Sequence, residues 1–72
     1  MKKVFRLQDL DCANCAAKME KAIAGLAGVA SVRVNFMTQK MTLEADDAVF
    51  EHLLDEAERL IRKVEPDCRV IR

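Results

Sequence analysis

The sequence predicts an α+β domain in which a four-stranded antiparallel sheet carries two helices on one face. Three observations lead there. Four short segments alternate apolar and polar residues, as half-buried strands do, and two longer segments carry a single apolar stripe at helical spacing. These segments run strand, helix, strand, strand, helix, strand. One-faced strands and one-striped helices cover each other most simply when both helices lie on the same side of the sheet. Residues 1–72 are read as one small domain with a limited core.

The first strand is expected over Val4-Phe5-Arg6-Leu7-Gln8, which alternates and holds β-branched and aromatic residues. Residues 9–14, polar or small apart from Leu10, read as a loop. Asn14 is a candidate N-cap, which puts Cys15 at the first helical position. Ala16, Met19, Ile23 and Leu26 then fall on one face, with Lys18, Glu20 and Lys21 outside it. Gly25 or Gly28 is expected to end this helix in left-handed backbone. Val32, Val34 and Phe36, then Met41 and Leu43, alternate with polar residues on either side of a turn around Met37-Thr38-Gln39, as in a hairpin with one buried face. Asp46-Asp47 offers an acidic cap to a second helix. Its stripe is Phe50, Leu53, Leu54, Ala57, Leu60 or Ile61, and Val64, and Pro66 stops it. Cys68 to Val70 makes a last strand. The order is that of the ferredoxin-like split βαβ arrangement, βαββαβ.

Composition excludes several functions. Twelve basic residues balance twelve acidic ones, so there is no excess of positive charge to draw in a nucleic-acid backbone. With no Trp or Tyr and three scattered Phe, there is no platform for stacking bases either. Charges interrupt every apolar stretch, so no membrane span is expected. Arg6, Gln8, Asp9 and Asp11 follow Met1-Lys2-Lys3 too closely to leave a signal-peptide core. Three cysteines, an odd number, suit a reducing compartment better than a secreted disulfide framework, which places the chain in the cytoplasm.

The chemistry is concentrated in Asp11-Cys12-Ala13-Asn14-Cys15. Two thiols with two residues between them, at a helix start, can share one space. Unpaired N–H groups and the helix dipole favour the thiolate there, which is the form that binds soft metals or attacks disulfides. The pair alone therefore leaves metal binding and thiol–disulfide exchange open. Against exchange, a thioredoxin-like fold needs a longer chain with a parallel strand pair, and a proline opposite the cysteines, whereas Pro66 is the only proline here.

The chain resembles the heavy-metal-associated domain, the module of metallochaperones and of the cytosolic tails of metal-exporting P-type ATPases. The resemblance is carried by Leu10-Asp11-Cys12-Ala13-Asn14-Cys15-Ala16-Ala17-Lys18-Met19-Glu20, by Gly28-Val29 and Val32-Arg33-Val34-Asn35, and by Glu65-Pro66-Asp67. Copper(I) modules usually carry Thr before the first cysteine, and zinc, cadmium and lead exporters often carry Asp, as Asp11 does here. Asp9 stands where the family commonly has Gly, and Asp tolerates left-handed backbone better than most residues.

The resemblance implies metal binding by Cys12 and Cys15, with Asp11 as a third ligand. A divalent ion of this class wants about four ligands from S, N and O, whereas copper(I) is satisfied by two thiolates. It also implies a non-catalytic monomer that transfers or senses zinc(II), cadmium(II) or lead(II), as the N-terminal domain of an exporting ATPase. Its partners are then other domains of a membrane metal transporter or a metallochaperone. A free copper(I) metallochaperone is the alternative. The remaining candidates read as structural. Cys68, Met19 and Met41 follow buried periodicities, His52 lies off the stripe of its helix, and Met37 sits in the turn. Arg59, Arg62 and Lys63 form a basic patch that reads as a wet face or as a dock for an acidic partner.

Overall fold

A computed structural model describes residues 1–10 and 12–71. The elements are β1 (Lys2–Gln8), α1 (Ala13–Ala24), β2 (Val29–Asn35), β3 (Lys40–Ala45), a single 3₁₀ turn (Asp47–Val49), α2 (Phe50–Val64) and β4 (Arg69–Ile71). The strands form one sheet in the order β2-β3-β1-β4, with every neighbouring pair antiparallel. This is the expected ferredoxin-like βαββαβ architecture.

Register explains the sheet's two faces. Phe5 lies opposite Met41, Leu7 opposite Val70, and Val34 opposite Met41, so the apolar members of all four strands share the helix-facing side. Ala16, Met19 and Ile23 of α1 and Phe50, Leu53, Leu54, Ala57 and Ile61 of α2 close over them. Phe5 and Phe50 stack at 6.3 Å between ring centres. Among the described residues no polar or charged side chain is buried, so packing rather than a polar network holds the core.

The boundaries depart from expectation in instructive places. β1 begins at Lys2, two residues before Val4, because pairing with Glu44 extends the ladder past the alternating segment. Cys12, not Asn14, caps α1. Gly25 ends that helix in right-handed backbone at φ −79°, and the left-handed conformation falls on Gly28, φ +98°, at the entry to β2. A side chain at Gly28 would bring its Cβ to 3.2 Å from Leu53 Cδ1. Asp46 acts as expected through its carboxylate, which accepts from the Ala48 N–H at 3.1 Å, but the turn it caps is 3₁₀ before α2 begins. α2 stops at Val64 because Pro66 forces Glu65 into extended backbone, φ −136° and ψ 97°. Cys68 precedes β4 rather than opening it, and both Cys68 and Val70 are buried.

Ile61 has no exposed surface and packs at the C-terminal end of the buried α2 stripe. Ile61→Ala is expected to lower the unfolding free energy of the reduced domain by about 2–5 kcal/mol, a large share of what so small a domain has. Urea denaturation followed by circular dichroism measures it; a loss well under about 1 kcal/mol would contradict the packing described.

Candidate metal centre

The loop between β1 and α1 is fixed before it reaches the cysteines. Asp9 takes left-handed backbone, φ 63°, which turns the chain out of β1. Leu10 then drops into the core with no exposed surface. The Leu10 carbonyl accepts a hydrogen bond at 2.8 Å from the Gln39 side-chain amide, which reaches across from the β2–β3 turn. Gln39 is itself held: its carbonyl accepts the Leu7 N–H at 2.7 Å, and its backbone is left-handed at φ 53°.

Cys12 follows in extended backbone, φ −133° and ψ 119°, and caps α1. Its carbonyl accepts the Ala16 N–H at 3.0 Å, the first bond of the helix. Its sulfur accepts the Cys15 N–H at 3.3 Å. A helix start leaves its first N–H groups without partners, and a cap side chain normally answers the third of them with oxygen. Here sulfur does so, and the residue it answers is the second cysteine.

That geometry sets the two thiols apart. The Cys12 sulfur receives the Cys15 thiol and the Cys15 N–H, which hold it below the ordinary thiol value of 9.0 against partial burial and the Glu65 charge. Cys15 is pushed up to about 11, first because its thiol donates to Cys12, then by desolvation and by the Cys12 and Glu65 charges. Cys15 is half-buried, and its thiol also points at the Glu65 carboxylate, with sulfur and oxygen 3.8 Å apart. Of the two, Cys12 is therefore the thiol that ionises first, with Cys15 donating to its sulfur and keeping its own proton to higher pH.

The structure thus brings Cys12 and Cys15 together. Asp11 lies outside the described residues. Among those described, no three His, Cys, Asp or Glu side chains converge on a point that could hold a metal ion. His52 is exposed on α2, Met37 is 86% exposed in the hairpin turn, and Met19, Met41 and Cys68 are fully buried. Two residues that support the loop carry no role in the sequence reading: Glu65, against Cys15, and Gln39, against Leu10. Glu65 is the last residue before Pro66, where α2 must turn back towards β1, and that placement was a usable signal. Gln39 carries no local signal, because its contact spans 29 positions.

A ferredoxin-like fold with a dithiol loop at the rim of its sheet defines a small thiol-bearing module. The chain belongs to the heavy-metal-associated domain family, whose model matches residues 4–68. It is 30% identical over 70 residues to the cadmium, zinc and cobalt-transporting ATPase of Bacillus subtilis, covering 97% of this chain and 10% of that one. To the zinc/cadmium/lead-transporting P-type ATPase of Escherichia coli it is 42% identical over 45 residues, covering 62% and 6%. The chain therefore spans a tenth or less of the curated relatives it matches. The N-terminal domain of a potential copper-translocating P-type ATPase from Bacillus subtilis, solved in the Cu(I)-loaded state, superposes with a TM-score of 0.75 at 26% identity, covering 96% and 84%. Members of this family are metal-binding domains without a catalytic site of their own. Among the described residues no helix is long and apolar enough to cross a membrane.

The thiol asymmetry has a direct readout. Cys12 ionises below the ordinary thiol range and Cys15 only at about 11, so the thiolate at neutral pH is mainly that of Cys12, and its lower intrinsic nucleophilicity cancels only part of the advantage. Iodoacetamide is expected to alkylate Cys12 about tenfold faster than Cys15 in the metal-free domain at pH 7. The difference shrinks as pH rises towards about 11, where Cys15 ionises. Cys68 stays unmodified while the domain is folded. Mass spectrometry of quenched samples measures all three, and equal or reversed rates at Cys12 and Cys15 would contradict the hydrogen-bond direction.

Proposed function

We propose that this domain binds one soft divalent ion, zinc(II), cadmium(II) or lead(II), through Cys12 and Cys15 and hands it on by ligand exchange. The observation that carries the reading is the pair itself: one sulfur caps α1, the other sits one turn away, and both are partly open to solvent. Binding displaces the proton that Cys15 otherwise keeps, leaving two thiolates that neutralise a divalent charge. Asp11, adjacent in sequence to Cys12, supplies a third ligand. Glu65, already against Cys15, can rotate from that thiol to the metal once the proton has gone. Such a shell of sulfur and carboxylate oxygen is incomplete and exposed, which suits transfer, whereas closed Cys-rich sites retain zinc permanently.

The preference for a divalent ion is supported by the cadmium, zinc and lead named for the two bacterial ATPases above. In the same reading, the domain acts at the cytosolic face of a membrane as the N-terminal part of an exporting P-type ATPase, which its likeness to domains of metal-transporting P-type ATPases supports. It works as a monomer and delivers to, or senses metal for, the transporter's other domains. A copper(I) metallochaperone is the second reading, favoured by the likeness to the Cu(I)-loaded ATPase domain. Carboxylates discriminate the two, because copper(I) is satisfied by the thiolates alone.

Competitive titration of the reduced domain with zinc(II), cadmium(II), lead(II) and copper(I) tests the assignment. Cys12→Ser or Cys15→Ser is expected to abolish tight binding of all four ions. Asp11→Ala is expected to weaken the divalent ions by at least about tenfold and copper(I) by less than about twofold. An unchanged preference would remove Asp11 from the site. Insulin reduction without stoichiometric metal uptake would instead support a thiol–disulfide oxidoreductase.

A further inference from the structure

The chain has no net charge, yet its charges are not evenly spread. The face of the sheet away from the helices carries Lys2, Arg6, Arg33, Lys40 and Arg69, all exposed. Among the described residues the single carboxylate on that face is Glu44, which accepts a hydrogen bond from the Ser31 hydroxyl at 3.1 Å. Among the described residues, the other six basic and ten acidic side chains lie elsewhere on the molecule. None of the five cations has an ion pair among the described residues.

The same face also exposes aliphatic side chains: Val4, on the central strand β1, is 60% exposed and Ile71, on the edge strand β4, 47%. Beside Val4 a shallow depression over Thr42 is flanked by Lys2, Ser31 and Arg33, combining cations and hydroxyls with an apolar floor. Long basic side chains around exposed aliphatics can lay their stems on an apolar layer while the charged heads stay in a polar one.

We propose that the open sheet face docks on an anionic phospholipid surface. Other occupants fit less well. Sheet spacings give a face of roughly 15 by 20 Å, about 300 Å², against about 800 Å² per partner for a stable protein complex. A second copy would have to meet this face with its helices, whose outer surface mixes Glu51, Asp55 and Glu58 with Arg59, Arg62 and Lys63. Single-stranded nucleic acid would need stacking partners, but Phe5 and Phe50 are buried and Phe36 packs against the core. An anionic bilayer demands only distributed positive charge and shallow apolar contact. The exposed acidic residues of α2, Glu51 and Asp55, lie about one helix diameter of 10 Å behind the sheet, more than the screening length of about 8 Å at physiological salt, while Asp9, Asp46, Asp47 and Asp67 flank the sheet at its strand ends. Docked this way, the domain keeps both helices and the Cys12–Cys15 loop open to solvent. The inference goes beyond the metal reading and does not depend on it.

Flotation of the reduced, metal-free chain with vesicles tests it. Binding is expected to phosphatidylcholine–phosphatidylglycerol vesicles at about 60:40 and not to pure phosphatidylcholine, weakening as salt rises from about 0.05 to about 0.3 M. Each cation contributes roughly fivefold near such a surface, so Arg6→Gln/Lys40→Gln is expected to weaken binding by more than about tenfold. Arg33→Gln/Arg69→Gln, on the flanking strands, does the same. Lys18→Gln/Lys21→Gln on the exposed face of α1 removes equal charge and is expected to change binding less than about twofold. Circular dichroism confirms that each variant is folded. No binding to the anionic vesicles at low salt, equal loss in the α1 variant, or tighter binding to single-stranded DNA would overturn the proposal. Metal titration of the same protein stands or falls separately.

Discussion

The hydrogen bond from the Cys15 N–H to the Cys12 sulfur is the contact on which the candidate site depends. It begins a helix, brings two thiols to one end of that helix, and favours negative charge on the first sulfur. A helix start must satisfy its leading N–H groups in some way, and serine or aspartate would do it with oxygen. With cysteine as the cap, the group that completes the helix is also a soft ligand. Any reagent or ion that takes the Cys12 sulfur competes with the helix for it, so site chemistry and the stability of the first turn of α1 are linked.

The rest of the fold holds that loop from three directions. Leu10 anchors it in the core below, Gln39 fastens its carbonyl from the β2–β3 turn, and Glu65 closes over Cys15 from the end of α2. Each support comes from a different part of the chain, and the antiparallel order β2-β3-β1-β4 makes them converge, because β1 is central and pairs with both β3 and β4. The loop is thus pinned just before the cysteines and bounded just beyond them, while the sulfurs stay partly accessible. An ion could enter or leave without the core opening.

Periodicity made most of the fold legible. The stripe Phe50, Leu53, Leu54, Ala57 and Ile61 and the alternation around Phe5, Val34, Met41 and Leu43 all proved buried as read, and their order left few alternatives for the sheet. The errors came where a local rule met a competing one. Asn14 is the better cap by side-chain preference, yet Cys12 took the position, because chain direction out of the Asp9–Leu10 turn decides where the helix begins. Gly25 and Gly28 both read as left-handed candidates; Gly25 ends the helix in right-handed backbone and the left-handed turn falls on Gly28, where Leu53 and Val49 press close. Within the site the pairing of Cys12 and Cys15 was visible from spacing alone. Gln39 was not, since a contact between a hairpin turn and a loop 29 residues away leaves no mark in either segment.

Counting the sulfurs on a bound ion tests the central claim most directly. X-ray absorption of the zinc-loaded domain at one equivalent should show two sulfur neighbours at about 2.3 Å, completed by nitrogen or oxygen at about 2.0–2.2 Å. Three or more sulfurs per zinc, or none, would contradict a site built from the helix-capping pair.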